Sequence, residues 1–366
     1  MKYLDEFRDA VLANRLLASL ERRVSRPLRL MEFCGGHTHA ILRSGLRQLL
    51  PSSVRLSSGP GCPVCVTASS DVDRAIALAS QPGVILATFG DMVRVPGGNA
   101  SGQANSLQEA KSLGADVRMV YSTLDALGIA RVNPGLQVVF LGVGFETTAP
   151  TVAAAVLQAA AEGLTNFTVF SVHKLTPPAT RAILDAGEVR LSGIIGPGHV
   201  TSIIGANAWE FLPRDYRMPC AVSGFEPLDI LLAITSLVDM VTSGVPAVRN
   251  TYARSVRPEG NLIAQQWMRQ VFQVVDAEWR GLGLVPASGL AMRTEYEAFD
   301  AARRFPLDLP PGREPKGCRC GDVLRGVVEP TQCPLFGRTC TPDRPVGPCM
   351  VSGEGACAAF LQYGES

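Results

Sequence analysis

Six of the ten cysteines in this 366-residue chain lie between residues 318 and 357: Cys318, Cys320, Cys333, Cys340, Cys349 and Cys357. Thiols at this density in a reducing compartment point to metal ligation or redox chemistry rather than structural disulfides. The surrounding strings GCRCGD, QCPLFGRTCTPDRPVGPC and GEGAC are rich in Gly and Pro, which suits loops wrapped around a compact inorganic centre. Structural zinc sites pair their ligands in knuckles with two to four residues between them. Here only Cys318 and Cys320 are close, and the remaining gaps are 12, 6, 8 and 7 residues. Scattered thiolates of this kind favour an iron–sulfur cluster over zinc. Six thiols exceed four ligands, so two are spare and open to redox use.

A second group lies near the N-terminus. FCGGHTHA (33–40) sets Cys34, His37 and His39 where an apolar run gives way to a helical pattern. The two glycines allow close approach, and a helix start favours a thiolate. Thiolate and imidazole together suit iron, zinc or copper; the alternative is a buried cysteine beside a satisfied histidine. GPGCPVC (59–65) holds Cys62 and Cys65 as a C-x-x-C pair: a dithiol switch, half a metal site, or two structural thiols. GVGFET (142–147) has two glycines of a dinucleotide fingerprint and lacks the third, so it reads as a tight turn or as an anion pocket around Glu146. His173 in SVHKLTPP and His199 in GPGHVTS each stand alone, and Cys220 reads as a buried apolar residue. None of the four lysines completes a Walker A sequence.

The elements that must position these residues follow one pattern. LRLMEF, SVRLSS, GVILATFG, DVRMVYS, LQVVFLG, FTVFSV, LSGIIG and PCAVSG read as eight short strands. They alternate with helical segments such as DVDRAIALA and APTVAAAVLQAAAEG, which predicts α/β architecture with parallel sheets. Ligands of such sheets bind beyond the carboxyl ends of the strands. Cys34, Cys62, Cys65, Asp91, Glu146, His173 and His199 all fall there. A weak internal repeat pairs MEFCGGHTHAILRS (31–44) with VGFETTAPTVAAAV (143–156), and GPGCPVC with SVHKLTPP. It further pairs FGDMVRVPG with GPGHVTSIIG, and VYSTLDAL with VSGFEPLDIL. The resulting expectation is an N-terminal helix over 1–24, two similar α/β lobes over 25–130 and 131–245 with the site in a cleft between them, and a small C-terminal iron–sulfur module. Residues 246–366 would hold a helical connector (262–279 and 292–305), a Pro-rich boundary at 305–315 and that module.

A net charge of +1 argues against nucleic acid or an anionic membrane as partner. The N-terminal segment lacks the apolar core of a secretory signal, and the apolar stretch around Ile230–Val241 is too short and too polar to span a bilayer. A cytoplasmic location is the expectation.

With these motifs in order, the chain resembles the hydrogenase maturation factor family HypD over nearly its whole length. MEFCGGHTHA, GPGCPVCVT, TFGDMVRVPG, GFETTAP, SVHKLTPPA, GPGHVTSIIG, SGFEPLDIL, CRCGDVLRG, CPLFGRTCTP and GPCMVSGEGAC carry the resemblance. It implies an assembly scaffold for the Fe(CN)2CO unit of [NiFe]-hydrogenases, with two α/β domains and a third that carries a [4Fe–4S] cluster. Such a scaffold has redox-active thiols and is not a conventional turnover enzyme. It implies as partners a small HypC-type chaperone and the cyanide-delivery proteins HypE and HypF. The family's cluster spacing C-x14-C-x6-C-x16-C selects Cys318, Cys333, Cys340 and Cys357, leaving Cys320 and Cys349 spare. The resemblance also implies that Cys34 holds the iron together with a cysteine of HypC, with His37, Cys62 and Cys65 nearby. The rival reading is an iron–sulfur thiol/disulfide oxidoreductase acting on partner proteins.

Overall fold

All eight runs read as strands form strands, and all eight lie in parallel sheets. The computed structural model describes residues 7–98, 102 and 104–364. The strands are β1 (Leu28–Glu32), β2 (Val54–Ser58), β3 (Val84–Thr88), β4 (Asp116–Met119), β5 (Gln137–Gly142), β6 (Phe167–Ser171), β7 (Gly193–Pro197) and β8 (Cys220–Ser223). Their near-continuous apolar sequences match burial on both faces, as crossover helices require. A short β9 (Val248–Asn250) was not legible. The N-terminal helix covers Ala10–Arg23 of the expected 1–24; residues 1–6 lie outside the described part. The apolar stretch around 230–241 belongs to the helix Pro227–Ser243, whose inward face packs in a core. No helix among the described residues is long and apolar enough to cross a membrane.

The lobes are not the successive halves expected. One sheet has the order β2-β1-β7-β8-β9 and the other β4-β3-β5-β6. The chain lays down β1 and β2, leaves to build β3 to β6, and returns for β7 to β9. The boundary at 130/131 therefore gives way to a first lobe made of two separated segments and a second made of the chain between them. The physical reason is that a parallel strand needs only a long crossover to reach its neighbour. A helix such as Ser69–Ala79 can deliver the next strand to either sheet. The repeat itself agrees with this topology. Pairing β1 with β5, β2 with β6, β3 with β7 and β4 with β8 turns β2-β1-β7-β8 into β6-β5-β3-β4, which is the second sheet read backwards. Each repeat gives two strands to each lobe.

The connector also departs from expectation. The helix Leu262–Val271 ends where 262–279 was read as helical throughout, and β10 (Phe272–Trp279) pairs antiparallel with β11 (Gly283–Met292). Phe272, Val275 and Trp279 stand three and four residues apart, a helical spacing; in the strand an irregularity between Val275 and Ala277 breaks the period of two. The partner strand decides the matter. Within 292–305, a 3-10 turn (Thr294–Phe299) and the short helix Ala301–Arg304 replace one helix. The segment 306–315 has no regular structure and straps the second lobe. Its Gly312 lies against Ser69 and Ser70, and its Glu314 pairs with the buried Arg280.

One apolar core joins all these parts. It runs from Met31 and Ile194 of the first sheet through Leu86 and Leu141 of the second to Cys320, Cys349 and Met350. The C-terminal cysteines are thus built into the shared core rather than held on a tether.

Candidate functional site

Cys34 follows β1 and caps the helix Gly35–Arg43 from extended backbone. Its carbonyl accepts the amides of His37 and Thr38, and its own amide donates to Glu32 Oε2 at 3.0 Å. Three further segments close on this turn. The first is the loop after β2: Gly35 donates to Gly61 O at 2.9 Å, and a β-carbon at Gly61 would collide with the backbone of Cys34. Only glycine there lets CGGH and GPGCPVC touch main chain to main chain. The second is the C-terminal GEG turn, whose Glu354 backbone lies against Gly35. The third is the loop after β8, where Gly224 O accepts His37 Nε2 at 2.9 Å and the Phe225 ring stacks on the His37 ring at 4.6 Å. The second lobe reaches the same place: Ser352 Oγ donates to Asp91 Oδ2 at 2.7 Å and accepts the amide of Glu354.

The C-x-x-C pair sits beside this turn as a disulfide, Cys62–Cys65, with its α-carbons 5.2 Å apart. Both residues are buried, and Cys65 Sγ lies 4.0 Å from Pro348 O. The next residue, Cys349, has its sulfur 2.6 Å from that of Cys320. Around this pair all six C-terminal cysteines line a single cavity, closed by Leu335, Phe336, Gly347 and Met350. Among the described residues no three His, Cys, Asp or Glu side chains converge tightly enough for a single metal ion. Six thiols around one apolar cavity are a donor set that iron–sulfur clusters use.

The profile of the HypD family, described as "Hydrogenase formation hypA family", matches residues 11–364. This chain belongs to the HypD family. It is 49% identical to the hydrogenase maturation factor HypD of Rhizobium leguminosarum bv. viciae, over 100% of this chain and 96% of the relative. It is 50% identical to that of Azotobacter vinelandii over 100% and 97%, and 45% identical to that of Escherichia coli K12 over 99% and 98%. Membership of the HypD family gives the chain a role in hydrogenase maturation.

The electrostatics of this HypD-family site differ from the sequence expectation at one residue. The helix start was expected to favour a Cys34 thiolate, and the amides of Gly36 and His37 do pull that way. Burial outweighs them, with Glu354 and Glu32 adding to it, and the thiol is pushed up to about 12. Cys34 is therefore a protonated thiol until a cation arrives to displace the proton. Burial likewise raises Glu32 to about 8, against the hydrogen bonds it accepts from Thr38, the Cys34 amide and Ser58. Burial lowers His37 to about 4, so its ring is neutral. With Nε2–H on Gly224 O, its Nδ1 is a buried lone pair without a partner. Such an orphan costs about 1–3 kcal/mol. Cys320 is pulled down by hydrogen bonds from Cys318 and Cys349 and then by the Arg280 guanidinium, which favours its thiolate.

Of the residues singled out in the sequence, Cys34, His37, Cys62 and Cys65 come together, Asp91 joins them through Ser352, and His199 joins through Phe225. Glu146 and His173 do not; both serve the second lobe. Glu146 accepts the amide and hydroxyl of Thr176. His173 is buried with Nδ1 on Ser171 Oγ at 3.0 Å. Burial raises Glu146 from 4.5 to about 7. The folded state then holds a proton that the unfolded state has released between these values. Stability falls as pH rises through that window and is flat above it. Glu146→Gln removes this dependence. Its advantage over the natural chain should grow by a few kcal/mol from pH 5 to pH 8 in denaturant titrations, each pKa unit being worth about 1.4 kcal/mol. A constant difference across that range would contradict the buried-acid account.

Phe225, Glu32, Glu354 and Ser352 were missed. Nothing in the neighbours of Glu354 shows that its backbone lies against residue 35.

Proposed function

We propose that this HypD-family chain is a cytoplasmic assembly scaffold that holds iron at Cys34 while cyanide and carbonyl ligands are attached for a [NiFe]-hydrogenase. The observation that carries the reading is the meeting of CGGH, the Cys62–Cys65 loop and the GEG turn around one thiol. Low-spin ferrous iron with cyanide and carbonyl calls for a soft anionic anchor partly shielded from water, and the half-buried Cys34 thiol answers to that. A cysteine of a HypC-type chaperone fits as the thiolate supplied in trans, with HypE and HypF delivering cyanide. His37, neutral and fixed by Gly224, guards the site from beside the thiol.

The C-terminal cavity supports a resident [4Fe–4S] cluster on Cys318, Cys333, Cys340 and Cys357, because its lining is thiol and apolar. When bound, it supplies or accepts single electrons. Cys320 and Cys349, left over and adjacent, form a dithiol in the wall of that cavity, and Pro348 beside Cys349 lies against Cys65. Reducing the Cys62–Cys65 bond takes two electrons and two protons, and the dithiol releases the same in becoming a disulfide. The burial of Cys62 and Cys65 disfavours the rival oxidoreductase, because a protein disulfide from outside has no path to them.

Mass-mapped alkylation under defined redox buffers tests the relay. Cys62 and Cys65 should become alkylatable together on reduction and protected together on oxidation. Full alkylation of both under every oxidising condition would leave only a metal-binding or structural role. The scaffold itself is tested by infrared spectroscopy of the chain purified anaerobically with its small partner, in which cyanide and carbonyl stretches should appear. A complex without them would end the reading.

A further inference from the structure

Strand order in the first lobe reverses between β1 and β7, since β2 lies outside β1 and β8 outside β7. Such a reversal opens a crevice at the carboxyl ends of the two strands. Cys34 follows β1 on one side of it, and His199 follows β7 on the other. Between them lies Phe225, from the loop after β8. Its ring is sandwiched, with His37 on one face at 4.6 Å and 24° and His199 on the other at 3.9 Å and 28°. A β-carbon at Gly36 would lie 3.0 Å from the Phe225 edge and 3.6 Å from Cys34 Sγ, so ring, glycine and sulfur share one small space. The inner histidine is fully buried, whereas His199 is exposed. Behind the ring the loop is tied down. Glu226 pairs with Arg8, and the buried Asp229 pairs with Arg254.

We propose that His199 is a positioning residue of the Cys34 site: it stacks on Phe225, holds that ring against Gly36, and so shields the Cys34 sulfur and whatever is bound to it. The crevice is then a thiol pocket with an aromatic door, whose outer leaf is exposed to the partner that brings the second thiolate. The role belongs to the flat ring and not to its proton, so another aromatic ring should perform it. This inference rests on the reading of Cys34 as the thiol that acts. Alkylation reads the shielding alone and infrared bands read the iron, so either can fail without the other.

The test follows the alkylation rate of Cys34 in the full-length chain by peptide mass mapping, with iodoacetamide as the probe. Cys220, buried in β8 of the same sheet, serves as the internal control. His199→Ala should speed modification of Cys34 by about two- to tenfold, the range that loss of one aromatic stack sets on a local opening equilibrium, with Cys220 unchanged. His199→Phe should restore the natural rate, and Phe225→Leu should match His199→Ala. The inference is overturned if His199→Ala leaves the rate unchanged, if Cys34 and Cys220 accelerate together, or if His199→Phe behaves as His199→Ala does.

Discussion

Replacing Cys34 by alanine is expected to abolish hydrogenase maturation while leaving the fold and the C-terminal module intact. The side chain is small, and it leaves the core apolar contacts of β1 untouched. The Gly61, Glu354 and Thr38 contacts of the turn are made by backbone at residues 34 and 35. Stability should therefore change by no more than about 1 kcal/mol, as for the loss of one polar contact. The effect on function should be total, because Cys34 is the thiol on which the CGGH turn, the Cys62–Cys65 loop and the GEG turn converge. Chains carrying Cys34→Ser should fail as well, since a hydroxyl lacks the softness that low-spin iron requires. The measurement is hydrogenase activity in a cell whose own HypD-family gene has been removed and replaced by the variant. Substantial activity with Cys34→Ala would show that another residue anchors the iron.

The second large effect concerns the C-terminal cavity. Anaerobically prepared protein should be brown and hold about four irons and four labile sulfides per chain at that cavity. Cys333→Ala together with Cys340→Ala should remove both colour and sulfide. These two lie on one loop, where Phe336 bridges to Cys340 and Cys340 Sγ accepts the Val346 amide at 3.3 Å. Loss of the pair removes two of four thiolates and leaves too few to hold a cluster. Cys320→Ser should leave the iron content unchanged and interrupt only the dithiol beside Cys349. Stoichiometric zinc without labile sulfide would contradict the assignment, and so would an intact cluster in the double variant.

How far the sequence reaches is visible at particular residues. Strands β1 to β8 were legible because a parallel sheet buried on both faces leaves short apolar runs that end in Gly-rich turns. The repeat was legible too, yet its lobes were not. GVILATFG and LQVVFLG are equally good neighbours for any buried strand, and only long-range pairing sends β3 beside β5 rather than beside β1. The β10–β11 hairpin was hidden because Phe272, Val275 and Trp279 keep a helical spacing, the strand's period of two being broken between Val275 and Ala277. At the site, Cys34, His37, Cys62 and Cys65 announced themselves through residue type and spacing. Phe225 did not, since a phenylalanine acquires a role only from the two histidines that the segments after β1 and β7 bring to its faces. The Cys34 thiol shows the same limit. Its place at a helix start, with Glu32 two residues before it, was local and legible, whereas the burial that mainly keeps it protonated, and Glu354 that adds to it, arrive through the fold.

The central claim, that Cys34 anchors an iron carrying cyanide and carbonyl, is tested most directly by infrared spectroscopy of two preparations side by side. The natural chain and Cys34→Ala are each purified anaerobically with the small chaperone and matched for content of the C-terminal cluster. The natural complex should show cyanide and carbonyl stretches, and the Cys34→Ala complex should show neither at equal cluster content. Bands of full intensity in the Cys34→Ala complex would contradict the account and move the anchor elsewhere, with Cys62 and Cys65 the first residues to test.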